Sequence, residues 1–183
     1  MVYLLSWNFK NGRKIYMNRL KAGTRGLYSG KLDRVFCLIY VKNIYLDGEK
    51  CSLVLAQMRS DGMLGFPGGK VEKYHKTLKS ALKDELKQEI NFFNINENKL
   101  KPMITFADNK RHITTYKYEV DLETFKKIHR NSSKAECFYS ENMGSIALKL
   151  TKKSIVNIKK QKFRGVGRLE LETLIKEEKL IDN

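Results

Sequence analysis

The stretch LGFPGGKVEKYHKTLKSALKDELKQEI, Leu64–Ile90, constrains this chain more than any other. Gly68 and Gly69 carry no side chains, so the backbone there can approach a ligand closely. The residues that follow predict a helix from about Thr77 to Ile90, because Leu78, Leu82, Leu86 and Ile90 recur every four residues and make one buried stripe. Ala81, Glu85 and Glu89 form a neighbouring row, with Gln88 three residues after Glu85, so Glu85, Gln88 and Glu89 converge on one patch. Like charges at i and i+4 repel by roughly a few tenths of a kcal/mol. A divalent cation reverses that sign, since Mg²⁺ prefers carboxylate oxygens and keeps several waters. Carbonyls of the bend can complete the metal shell, and its amides can face phosphate oxygens near the helix N-terminus. The plain alternative is a surface helix with solvated Glu and Lys.

Around this stretch the pattern is mixed. VFCLIYVKNIYL and CSLVLAQMR are β-branched, apolar runs joined by DGEK, and Asp47-Gly48 predicts an antiparallel hairpin. MITFAD, HITTYKYEVDL and SIALKL read as further strands, LETFKKIHR as a short amphipathic helix and GRLELETLIKEEKL as a C-terminal helix. Strands with intercalated helices predict an α/β (α+β) layered sandwich. A single domain over 1–183 is expected, its basic, glycine-punctuated segment 1–34 packed on it.

Composition narrows the function classes. A hydrophobic share of 42% fits a globular chain. No apolar run approaches the roughly 18 residues of a membrane span, and the N-terminal apolar patch is too short and wrongly ordered for a secretory signal. Three widely spaced cysteines, Cys37, Cys51 and Cys137, form neither a metal knuckle nor a disulfide framework, which points to a reducing, intracellular setting. The formal net charge of +16 attracts polyanions. With no basic amphipathic helix of the membrane-surface kind, nucleic acid is the expected partner; lysine used merely as a solubilising residue is the bland alternative.

The glycine–helix arrangement resembles the Nudix box, G-x5-E-x7-R-E-U-x-E-E-x-G-U with U bulky and apolar, and ELKQEI falls on its E-U-x-E-E segment. The loop after Gly69 is one residue longer than usual. Asp84 stands for the usual Arg and Lys76 for the first Glu, which suggests a swapped charge pair between them. Gln88 replaces a glutamate, and Asn91 replaces the terminal glycine as the next-best left-handed cap. QMRSDGMLGFPGGKV is more specific. It resembles the animal small nucleolar RNA decapping Nudix hydrolases, which also act as inosine diphosphatases, over about Val35 to Ile175.

What the resemblance implies is a Nudix fold, an α/β/α sandwich with a mixed sheet, and a phosphoanhydride hydrolase using Mg²⁺ or Mn²⁺. Glu85 and Glu89 match the metal-binding glutamates, Gln88 a weaker third position, and Gly68 and Gly69 the loop that assists the metal. Glu141 matches a distal glutamate that ligates metal or orients water, so Glu89 and Glu141 are both candidates for the general base. Arg59 and Phe66 match residues near the bound nucleotide. Phe36 falls where the family has a histidine, and Glu170 is nearest to a glutamine of its final helix. These two changes weaken an inosine-type specificity. The charge favours RNA, so the expected activity is cleavage within an RNA 5′ cap, with NRLKAGTRGLYSGKLDR and KLTKKSIVNIKKQKFRGVGR as candidate RNA tracks. A free-nucleotide (inosine-type) pyrophosphohydrolase and an RNA-binding scaffold with a weakened site are the alternatives. By analogy the family also implies a homodimer and a nuclear or nucleolar location, with the cytoplasm as the other intracellular setting.

Overall fold

The computed structural model describes residues 4–8, 14–19, 32–107, 111–140 and 142–181. Its elements run β1 (Leu4–Asn8), β2 (Lys14–Arg19), β3 (Leu32–Leu46), β4 (Glu49–Arg59), β5 (Leu64–Gly65), β6 (Gly68–Lys70), α1 (Leu78–Ile90), β7 (Lys101–Ala107), β8 (Arg111–Glu119), α2 (Leu122–Asn131), β9 (Asn142–Leu150), α3 (Ser154–Lys160) and α4 (Gly167–Glu178). All the strands belong to one sheet, ordered β1-β2-β7-β8-β3-β4-β5, with β6 on β3 and β9 on β4.

The centre of that sheet is the predicted hairpin. β3 and β4 pair antiparallel with Leu46 opposite Glu49. Asp47 and Gly48 both have positive φ (53° and 75°), the conformation a two-residue turn of this hand requires. β3 also runs parallel to β8 over Leu32–Tyr40, which makes the sheet mixed. At the far edge, β2 adds to β7 through Asn18 and Arg19.

Strand alternation builds two cores from one sheet. Val35, Cys37, Ile39, Val41, Leu53 and Leu55 face α1 and α2, meeting Leu78, Leu82, Leu86, Ile90, Phe125 and Ile128. Leu38, Tyr40, Val54 and Ala56 face the opposite way, against Ile158 of α3 and Leu171 and Leu174 of α4. Helices therefore cover both faces, and the layered α/β/α sandwich expected from the sequence is the observed architecture.

Helix α1 begins where Thr77 predicts it should. Ser80 N–H donates to Thr77 Oγ1 at 3.0 Å, and Thr77 N–H donates to Ser80 Oγ at 3.2 Å, a reciprocal cap. It ends on Asn91 in the left-handed conformation (φ 54°), the role expected of an asparagine there. One expected link is corrected. Asp84 does not pair with Lys76; its Oδ2 lies 3.1 Å from Nε2 of His75. His75 Nδ1 accepts the Glu72 N–H at 3.0 Å, which leaves Nε2 as the donor toward Asp84. Lys76 is exposed, while the His75 ring is buried and near enough to reach the helix.

Candidate active site

The bend and the helix meet through two contacts that only glycines permit. Gly68 adopts φ +139°, and a Cβ there would lie 2.2 Å from the Val35 carbonyl oxygen. This close approach lets β6 lie against β3, with Gly68 opposite Phe36 and Gly69 opposite Val35. A Cβ on Gly69 would lie 2.5 Å from both carboxylate oxygens of Glu85. The Glu85 carboxylate thus occupies the space a side chain would fill.

Glu89 is 3% exposed. Its Oε2 accepts the Gly68 N–H at 2.7 Å, a charge-assisted bond from the bend to the helix. Its backbone carbonyl, near the helix end where intrahelical donors run out, faces the side-chain amides of Gln57 and Asn142, each at 3.4 Å. Gln88 is held through its carbonyl, which accepts the Cys137 N–H at 3.1 Å. The glutamates are therefore fixed from the bend, from β4 and from β9.

The bend, Glu85, Gln88 and Glu89 open on one cavity of about 430 Å³. Phe36, Arg59, Phe66, Gly68, Gly69, Glu85, Gln88, Glu89 and Glu170 all line it, so the structure brings together every site residue expected from the sequence except one. Glu141 lies outside the described residues, as does 20–31, most of the first expected RNA track.

Several lining residues are not legible in the sequence motif. Arg34 and Ile113 arrive by the parallel register of β3 and β8, in which they are direct partners. Arg164 enters from the loop before α4 and pairs with Asp61, which also lies 3.9 Å from Arg59 Nε. Burial pushes the Asp61 carboxyl up, but the Met63 amide and Arg164 outweigh it and hold it below the usual range. Arg59 Nε is buried and has no hydrogen-bond partner among the described residues. A single carboxylate thus holds two guanidinium groups at the cavity, one with a donor to spare.

Glu170, which also lines the cavity, is 3% exposed. Its Oε1 accepts the Thr115 hydroxyl at 2.5 Å. Burial pushes its carboxyl up to about 7, and the Thr115 bond only partly opposes that.

The donor set suits a hard divalent cation. Glu85 and Glu89 present carboxylate oxygens one helical turn apart, and the bare cradle at Gly69 leaves room for a backbone oxygen beside them. Among the described residues there is no group of three or more His, Cys, Asp or Glu side chains arranged as a metal site. Any ion here would lean on two carboxylates, backbone and water, the mode in which Mg²⁺ is usually bound. Cys37, Cys51 and Cys137 form no disulfide, as their spacing suggests.

A mixed sheet between helices, with a glycine bend clamped to two helix carboxylates, defines the Nudix class of protein, and the solved structures agree. A mutT/nudix family protein from Listeria innocua superposes with a TM-score of 0.60 at 13% identity, over 81% of this chain and 94% of that one. A mutant of the Bacillus subtilis pyrophosphohydrolase BsRppH gives 0.53 at 15% identity, over 97% and 99%. At these identities the likeness is one of fold. More narrowly, the chain belongs to the Nudt16-like family, described as U8 snoRNA-decapping enzyme-like, which it matches over residues 34–181. It is also 29% identical over 124 residues to a U8 snoRNA-decapping enzyme of Homalodisca vitripennis. That match takes in 62% of this chain and 64% of the relative, so the chain spans just under two thirds of that protein's length.

Proposed function

We propose that this protein is a divalent-metal-dependent Nudix hydrolase that cleaves the phosphoanhydride linkage of an RNA 5′ cap. The observation that carries the reading is the clamp at the bend: Gly68 N–H on Glu89, and the Glu85 carboxylate in the space left by Gly69. Family membership and a relative named for snoRNA decapping support the substrate class.

Bound between Glu85, Glu89 and the Gly69 carbonyl, Mg²⁺ or Mn²⁺ would neutralise phosphate charge and lower the pKa of a bound water. The chain's own groups do the rest. Arg59 and Arg164, held by Asp61, face the non-bridging oxygens and stabilise charge that develops as the anhydride breaks. The Gly68 amide holds Glu89 in one orientation, so this carboxylate is placed to orient a water and take its proton. Gln88 supplies an amide oxygen to the same patch without adding negative charge. Phe36 and Phe66 offer apolar surface to a base.

The test is release of labelled cap from RNA in Mg²⁺ and in Mn²⁺, run beside a panel of free nucleoside diphosphates and triphosphates. Wild type should release cap in at least one metal, and Glu89→Gln should lower the rate at least a hundredfold. Fast turnover of free nucleotides with little action on capped RNA would transfer the activity to the nucleotide pool. RNA binding without turnover in either metal would leave a scaffold.

A further inference from the structure

A second cavity lies at the opposite end of the central hairpin. Arg59, at one end of β4, lines the catalytic cavity, whereas Cys51 and Ser52, near the other end, line a hollow of about 280 Å³. The strand from Ser52 to Arg59 puts the two roughly 23 Å apart. The hollow sits between the end of β9, the turn into α3 and the chain leaving α4. Its floor is apolar, for Cys51, Leu150 and Leu180 are all buried. Two local ties give it a fixed shape. Ser52 Oγ donates to the Leu180 carbonyl at 2.8 Å, which fastens the chain after α4 to β4. The side chains of Thr151 and Ser154 each accept the other's N–H, at 3.0 and 2.9 Å, which fixes the turn carrying Lys152 and Lys153.

The rim is cationic. Lys50, Lys152 and Lys153 line it against one carboxylate, Glu49, which Lys149 already meets at 3.2 Å. Lys152 and Lys153 are exposed and form no ion pair among the described residues. Beside this rim stands an aromatic ring. Tyr45 is the register partner of Lys50 across the hairpin, so both side chains leave the same face of the sheet. Tyr45 is 73% exposed, too open for a core role. Cations for phosphate next to a ring for a base are the parts of a single-stranded nucleic-acid site. Resting on the reading of capped RNA as substrate, we infer that this hollow is a second nucleotide-binding site, in which Tyr45 stacks on a base and Lys50, Lys152 and Lys153 hold its phosphates. The RNA downstream of the cap is the ligand the charge pattern favours. Lys159, Lys160 and Lys162, also exposed, follow α3 from this rim to the wall of the catalytic cavity. At the roughly 3.4 Å per nucleotide of a stacked strand, the interval is about seven nucleotides. A free mononucleotide carries the same base and phosphate, and the experiment separates the two sources.

Fluorescence anisotropy in Mg²⁺, with RNAs bearing an uncleavable methylene-bridged cap, reads binding without turnover. Tyr45→Ala should weaken binding of a capped RNA of some ten nucleotides about tenfold, the effect of one lost base stack. Tyr45→Phe keeps the ring and should bind it within about twofold of wild type. Lys152→Glu with Lys153→Glu should weaken it at least as much and make its salt slope shallower. A capped RNA of about three nucleotides cannot span the interval, so its affinity should change by less than about twofold in each variant. These side chains are exposed, and the thermal midpoints should stay at the wild-type value. Adenosine monophosphate that binds wild type but not Tyr45→Ala, with the longer RNA indifferent to that change, would keep the site and make a free nucleotide its ligand. Indifference of both ligands to Tyr45→Ala, or an equal loss with the short RNA, would overturn the inference. Tyr45-dependent binding of the longer RNA without cleavage of any ordinary capped RNA would keep this site and reject the hydrolase reading.

Discussion

At the residue scale, the site depends on what is missing at Gly68 and Gly69. Gly69→Ala places a methyl group 2.5 Å from the Glu85 oxygens, so the carboxylate must leave its cradle. The expected result is a folded protein whose turnover falls at least tenfold, with a thermal midpoint within a few degrees of wild type. Gly68→Ala meets backbone instead and should lower the midpoint itself. Glu170 gives a pH prediction. Its folded pKa lies at about 7, above the ordinary 4.5, so the folded state binds more protons between those values. Stability from this group is fully present below about 4.5 and is lost as pH rises through about 7, up to about 3 kcal/mol. Urea unfolding from pH 4.5 to 8 should show that decline in wild type and a flatter profile in Glu170→Gln. Glu85, Gln88 and Glu89 were legible because helical spacing alone puts them on one patch. Arg34, Ile113 and Thr115 were not, because their places depend on the parallel pairing of strands far apart in sequence. Asp61 was equally silent, since its partner Arg164 lies beyond the next hundred residues.

At the element scale, α1 is both core and scaffold. Leu82 is fully buried in the cluster joining α1 to the sheet, and Leu82→Ala should cost about 2–5 kcal/mol in chemical denaturation. A silent substitution would mean the helix does not seat on the sheet as described. The loop into α1 gives a paired test. His75 is buried and bridges Glu72 and Asp84, so His75→Ala should cost about 1–3 kcal/mol by leaving a cavity and unpaired groups. Lys76→Ala, at an exposed position, should change stability by less than about 0.5 kcal/mol. Comparable costs for both would restore a role for Lys76. The Nudix pattern makes Lys76 and Asp84 a swapped charge pair, but burial of the His75 ring makes His75 the neighbour that reaches Asp84. Elsewhere, periodicity sufficed where a stripe or a turn was strong: the β3–β4 hairpin, α1, α2 and α4 all stand where the pattern put them. Helix α3 escaped notice because seven residues carry only Ile155 and Ile158 toward the core, amid lysines. The strands β5 and β6 are two and three residues long, too short for any period to show.

At the scale of the whole molecule, the charge excess is plain from composition, whereas its placement is a property of the fold. Some lysines are spent on internal ties: Lys42 and Lys117 meet Glu178, and Lys117 also meets Glu177, fastening the end of α4 to β3 and β8. Lys149 meets Glu49. By contrast Lys152, Lys153, Lys159, Lys160 and Lys162 are exposed, and none forms an ion pair among the described residues. They also lead to the cavity. The Lys162 carbonyl accepts the Leu64 N–H at 2.8 Å and the Arg164 N–H donates to the Leu64 carbonyl at 2.8 Å, so this basic segment is stitched to β5 at the cavity wall. A capped RNA with its cap in the cavity would have its following phosphates carried along this side. Each phosphate neutralised releases counterions, giving a slope of about −0.7 per contact in log affinity against log salt for a single strand. Capped RNA of some ten nucleotides should therefore bind with a slope steeper than about −2. The variant Lys159→Glu with Lys160→Glu should make that slope shallower by one or more and weaken RNA binding about tenfold. Its turnover of a cap dinucleotide, too short to reach α3, should stay within about twofold of wild type. An unchanged slope in that variant would place the RNA on another face; an equal loss with the dinucleotide would show that α3 acts on the cavity itself.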